Sequence, residues 1–216
     1  MSCGAKALSP RPSFVDRMEL WQSKGQTVDG LWIGSSQFDP QPGLRRVEDA
    51  LRLIKDHSPL HYRRVTINLE RIWVRLLPHA RGSYLHSLRA CQLDERFVLQ
   101  ETTTLERIAS CIVHEATHAR LAKWGIPYDE KARPRIERIC LRRELNFACE
   151  LQQSENLRDE ITRTLDWCVD ENDYFADQNM QQRVDQGNME ALRYLGVPGW
   201  VINALFKAIV FRRRLG

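Results

Sequence analysis

Between Leu105 and Lys123 the apolar residues recur with the 3.6-residue period of a helix, and its polar face carries His114-Glu115-Ala116-Thr117-His118. Thr103-x-x-Glu106 has the form of a capping box that opens this helix, and Gly125 and Pro127 close it. Two histidines four apart point the same way, one turn apart, so both rings can reach a single Zn²⁺. The glutamate between them is rotated about 100° from His114 and cannot ligate alongside them, but it can touch a water on the metal and accept its proton. A shuffled chain of this composition would contain about 0.01 such matches. Leu105, Ile108, Ala109, Ile112, Ala116 and Ala119 lie broadly on the other side, while Cys111 shares the histidine face. Such a helix must give its apolar side to a core and its histidines to a cleft.

A catalytic zinc site takes three protein ligands and keeps one position open. Leu121 and Trp124 stand where the longer His-Glu-x-x-His-x-x-Gly-x-x-His pattern requires glycine and histidine, which excludes that class. Glu137 follows His118 by 19 residues, on the next helix. Glu144 lies seven residues further along the same stripe, about 10 Å up the axis, so only one of the two can reach the metal. An antiparallel helix pair would present its ligand near its own start, which favours Glu137 and leaves Glu144 as the alternative. Cys111 is read as a small core thiol.

These residues resemble the gluzincin zinc metallopeptidases. The spacing His114-Glu115-x-x-His118-x18-Glu137 is that of the aminopeptidase branch and one residue short of that in thermolysin-like enzymes. The segment Arg143-Glu144-Leu145-Asn146-Phe147-Ala148 also resembles the glutamate helix of the small metallopeptidases that cleave phage-type repressors. The likeness covers residues 90–150 and implies a small zincin-like α+β domain, with short antiparallel strands preceding the His-Glu-x-x-His helix and a glutamate-bearing helix. It further implies one Zn²⁺ held by His114, His118 and Glu137 or Glu144, Glu115 as general base, and a peptide or protein substrate. Tyr128 and Tyr174 are candidates for the group that stabilises the oxyanion, Tyr128 being the one adopted. The Gly-x-Met-Glu-Asn segment that binds a free amine in gluzincin aminopeptidases is absent, so an endopeptidase is expected. By the same analogy Arg96–Gln100 would be the strand edge that pairs with substrate. The rival readings are a dedicated protease that cuts one partner protein and a non-catalytic zinc-binding or regulatory interaction module.

The rest of the chain divides into an irregular lead-in (1–46), the core (47–153) and a helical C-terminal extension (154–216) packed on it. Val47, Ala50, Leu51 and Ile54 mark a helix that stops before Pro59. Val65, Ile67 and Leu69 alternate like a strand, continued out of parity by Ile72, Val74 and Leu76. Cys91–Leu93 and Phe97–Leu99 look like further strands. Helices are expected over Ile136–Leu151, Leu157–Val169 and Met180–Leu195, and a last one carries Val201, Leu205 and Ile209 on one side. Strands followed by many helices make an α+β arrangement.

The 216 residues carry a net charge of +4, but 150–190 alone carries −8 and the remainder +12, so acidic and basic faces are expected to meet. Arg133, Arg135, Arg138, Arg142 and Arg143 make the glutamate helix basic, and Arg212, Arg213 and Arg214 end the chain. Without interleaved aromatics they do not argue for nucleic acid. No apolar stretch suits a membrane span. Six cysteines without a CxxC pair argue against disulfides or a zinc ribbon and for a reduced, cytoplasmic protein. His57, His61, His79 and His86 have no ligand spacing and are read as surface residues. The oligomeric state is left open.

Overall fold

Helix α1 (Phe14–Gln22) leads into the hairpin β1 (Lys24–Val28) and β2 (Leu31–Ser35), then helices α2 (Gln41–His57) and α3 (Pro59–Asn68), strands β3 (Arg71–Arg75), β4 (Gly82–Leu85) and β5 (Ala90–Asp94), and the short helix α4 (Glu95–Leu99). Four longer helices follow: α5 (Leu105–Lys123), α6 (Arg133–Glu150), α7 (Glu155–Asp170) and α8 (Asp177–Tyr194). The structure is a computed structural model that describes residues 11–170 and 176–206. Tyr174, Ile209 and Arg212–Arg214 lie outside the described residues.

The architecture is α+β. The sheet has the order β1-β2-β3-β5-β4. Its outer pairs are antiparallel, but β2–β3 and β3–β5 run parallel, so the sheet is mixed rather than antiparallel as expected. The helices α2 and α3 form the crossover that a parallel β2–β3 pair requires. β5 then inserts between β3 and β4, leaving β4 as an edge.

Several local expectations fail for identifiable reasons. The lead-in is not irregular, because Gly25 and Gly34 sit opposite each other in the hairpin and make room for the Trp32 indole rather than breaking the chain. Val65–Asn68 is helical. Pro59 occupies its first turn, and Val65 and Leu69, four apart, are both buried while Ile67 faces out. Alternation over five residues could not separate the two periods. Phe97–Leu99 is helical as well, because Phe97 and Val98 are both buried, which neighbouring strand residues on opposite faces would not achieve against one core. The cap of α5 is Thr104, whose side chain accepts from the Arg107 N–H, one residue later than the capping box suggested.

The main core lies between α5 and the sheet. Ile108, Ile112 and Ala116 of α5 meet Ile33, Ile72, Val74 and Leu93 of the strands, with Val47, Leu51 and Ile54 of α2 beside them. A second cluster joins Leu141 and Ala148 of α6 to Leu157 and Ile161 of α7, so α7 is seated on α6. The opposed charge also finds itself. Glu160 bridges Arg81 and Arg107, and Asp177 pairs with Arg133. In the final helical stretch (199–206) Ile202 is buried and Leu205 exposed. Among the described residues no helix is long and apolar enough to cross a membrane, and Cys91, Cys111, Cys140, Cys149 and Cys168 are free.

Ile112→Ala should cost about 2–5 kcal/mol, read from urea denaturation, because it removes a fully buried side chain between helix and sheet. α1 buries no side chain and is held by Asp16 and Glu19 on Arg75. Partial burial opposes ionisation of Asp16, but the Ser13 hydroxyl and the Arg75 guanidinium outweigh it and hold the carboxyl below its ordinary value. A depressed carboxylate stabilises above its unfolded pKa and loses that contribution as pH falls through the folded one. Amide exchange over 14–22 should therefore accelerate below about pH 3.8, and in Arg75→Ala it should already be fast at neutral pH.

Candidate metal centre

Helices α5 and α6 are joined by the loop 124–132 and pack antiparallel. Ser110, early in α5, meets Glu144, late in α6, while His118, late in α5, meets Glu137, early in α6. Leu121, Ile136 and Cys140 seal the contact. The pairing places the His114 ring between two carboxylates. Its Nε2 lies 3.3 Å from Glu137 Oε2, and its Nδ1 lies 3.0 Å from Glu144 Oε2. The buried Ser110 hydroxyl donates to the other Glu144 oxygen at 2.7 Å and fixes that carboxylate. On a neutral ring, an Nδ1–H donated to Glu144 would leave the Nε2 lone pair free for a metal.

His118 Nε2 is 3.2 Å from His114 Nε2 and 3.4 Å from Glu137 Oε1. Tetrahedral Zn²⁺ with bonds of 2.0–2.1 Å to nitrogen and oxygen would set its donors about 3.3 Å apart. The two ring nitrogens match that edge length, and each lies at a similar distance from a different oxygen of the Glu137 carboxylate. The sulfur of Cys140, three residues after Glu137, also belongs here: His114, His118 and Cys140 each offer a donor atom, all within 4.8 Å of one another, and this group could hold a metal ion. The Glu137 carboxylate lies beside both rings, within 3.4 Å of each.

Charge supports a cation. Three carboxylates, Glu115, Glu137 and Glu144, surround two imidazoles. Burial opposes ionisation of Glu137, yet the hydrogen bonds from His114 and His118 win and hold it far below the usual carboxylate range. For His114 burial again acts against the charged form, and the hydrogen bonds to Glu137 and Glu144 overcome it, raising the imidazole well above its ordinary value. Burial pushes Glu115 up, partly offset by the two histidines. Burial, reinforced by Glu137, keeps the Cys140 thiol protonated.

Glu115 is 5 % exposed, and its Oε2 is buried with no hydrogen-bond partner. A buried carboxylate oxygen without a protein partner is free to accept from a ligand or a water. Gly82 of β4 lies directly over this residue: a Cβ there would sit 2.4 Å from Cys111 Sγ and 3.4 Å from Glu115. Absence of a side chain lets the edge strand approach α5 at the glutamate. The cleft in front of the histidines has a volume of about 670 Å³ and is lined by Gly82, Ser83 and Tyr84 of β4, Tyr128, and Met180 and Val184 of α8. A smaller recess of about 260 Å³ opens on the far side of His114 and Glu115, walled by Leu157 and Ile161 of α7.

Tyr128 donates its hydroxyl to Glu137 Oε1 at 2.5 Å, and its ring stands edge-on to His118. The strand Arg96–Gln100 does not exist as an edge; its residues lie in and after α4, and the edge beside the cleft is β4. Of the histidines read as surface residues, His79 and His86 line the cleft and His61 is buried. Sequence reasoning missed Cys140, although its place one turn after Glu137 put it on the same face. It also missed β4, whose four residues are too few to show a period. No family model, curated protein or solved structure matches this chain.

The seat of α8 can be tested separately. A Cβ at Gly187 would fall 1.8 Å from the Pro78 carbonyl oxygen, a backbone atom that cannot swing aside. Gly187→Ala should displace α8 and destabilise the protein by about 1–3 kcal/mol in urea denaturation.

Proposed function

We propose that this protein is a zinc-dependent endopeptidase. The observation that carries the reading is the convergence of His114 Nε2, His118 Nε2 and a Glu137 carboxylate at 3.2–3.4 Å from one another, beside the unpartnered Glu115 oxygen. In this reading His114, His118 and Glu137 hold one Zn²⁺, and Glu144 orients His114 instead of binding metal. When bound, the ion supplies Lewis-acid polarisation and lowers the pKa of a coordinated water to about 7. Glu115 accepts the proton of the attacking water and returns it to the leaving amine; its buried position and raised pKa suit a group that must both take and give a proton. To donate to the oxyanion, the Tyr128 hydroxyl would have to swing from Glu137, its acceptor in the structure, toward the substrate. An extended peptide lies along the free edge of β4, which offers main-chain hydrogen bonds beside Glu115. The wall contributed by α8 encloses the cleft on one side and favours a dedicated protein substrate over broad digestion. The free cysteines accord with a reducing, cytoplasmic setting.

Cys140 supports a second reading. A His114-His118-Glu137-Cys140 set would be four-coordinate and closed, the form of a structural zinc site without catalysis. Metal content by elemental analysis and hydrolysis of a peptide library separate the two. In the endopeptidase, Glu115→Gln keeps one zinc per chain and loses hydrolysis by at least about 100-fold, and Cys140→Ser keeps both metal and activity. In the closed site, Cys140→Ser loses metal and no variant hydrolyses peptide. His114→Ala and Glu137→Ala should purify without zinc, whereas Glu144→Ala should weaken zinc affinity about 10–100-fold through loss of the His114 orientation.

A further inference from the structure

Behind α5, on the side away from the histidines, lies a small pocket between α3 and α6. His61 and Arg64 of α3, Thr117 and Arg120 of α5, and Arg143 of α6 line it. Three arginines thus contribute to the wall of one pocket. Among the described residues neither the Arg64 nor the Arg143 side chain has a hydrogen-bond or ion-pair partner. Arg120 lies over the Trp124 ring at 4.4 Å. Glu150 of α6, with Oε1 3.7 Å from His61 Nδ1, offsets one of the three charges.

His61 is 3 % exposed, and Ser58 Oγ lies 2.7 Å from its Nδ1. Its Nε2 is buried without a hydrogen-bond partner. A Ser58 hydroxyl donating to Nδ1 leaves the proton on Nε2, so the ring presents a buried donor with nothing to receive it. An unmatched donor of this kind costs about 1–3 kcal/mol unless a ligand or water meets it. The enclosed space of about 20 Å³ admits one atom of the size of a water oxygen. Around it stand the flat, forked donors that match a tetrahedral oxyanion.

We propose that this pocket binds a phosphate group, one oxygen entering the recess against His61 Nε2 and the others held by Arg64, Arg120 and Arg143. The charge balance agrees. Burial disfavours the ionised form of Arg64, and its neighbours Arg143 and Arg120 add repulsion, which a bound anion reverses. The basic face of α6 thereby acquires a specific role at Arg143. Bound phosphate would tie α3, α5 and α6 together behind His118, independently of whether the metal centre is catalytic.

Calorimetric titration of the full chain with inorganic phosphate, at ionic strength held constant with sodium chloride, tests the site, and phenyl phosphate serves as the monoester arm. One saturable event per chain is expected, weakened about tenfold or more in Arg64→Gln and in Arg143→Gln. Both substitutions lie at half-buried positions, and circular dichroism checks that the variants remain folded. Tighter binding of phenyl phosphate assigns the pocket to a phosphoryl group on a larger molecule, and tighter binding of the inorganic ion assigns it to free phosphate. Absence of saturable binding to either probe, or equal binding by wild type and both variants, overturns the proposal.

Discussion

The antiparallel packing of α5 on α6 is the constraint on which the rest depends. It lets a single imidazole, His114, be gripped at both nitrogens by carboxylates one face and two turns apart on α6. Neither contact could form if the pair slid by a turn, because the 5.4 Å pitch would move Glu144 and Glu137 off the ring together. The slip is opposed by the seal of Leu121, Ile136 and Cys140, and the sheet behind Ile108 and Ile112 keeps α5 from rolling. The core therefore sets the positions of the donors, while the polar groups set the ring's tautomer.

Much of this was legible in the residue order, and the reason is periodicity. The His114–His118 pair and the buried stripe of Ile108, Ile112, Ala116 and Ala119 declare α5 without reference to anything else, and α2, α6, α7 and α8 follow from the same repeat. The choice between Glu137 and Glu144 was open because both sit on one stripe; in three dimensions both contact His114, at different nitrogens. The sheet was less readable. Its strands have four or five residues, too few to establish alternation, and its parallel centre depends on a crossover that no local pattern announces. Val65–Leu69 and Phe97–Leu99 were misread for the same reason, since a run of three to five apolar residues is compatible with either period until its neighbours are known. His61 was invisible as a buried residue, because its burial comes from α3 lying against α5 and α6.

Helix α5 also separates two opposite electrostatic environments. On its front, Glu115, Glu137 and Glu144 crowd two histidines. On its back, Arg64, Arg120 and Arg143 meet with one carboxylate, Glu150, at the edge. Within each cluster the like charges repel one another. The helix between them is less than about 12 Å thick, so each excess partly relieves the other across it. Neither side can be neutralised without changing the field felt on the other.

The polar groups assembled on the front all come from residues 114–144, a contiguous segment of two helices and the loop between them. Bringing those groups together closes a loop of only about thirty residues, and loop entropy grows slowly and stays small at that length. The sheet, by contrast, has to pair β2 with β3 across two intervening helices, a slower kind of search. A metal ion present during folding would meet its donors on the helical hairpin before the last strands are in register. In the proposed metal-binding reading it would then act as a nucleus for the chain as well as the centre of the site.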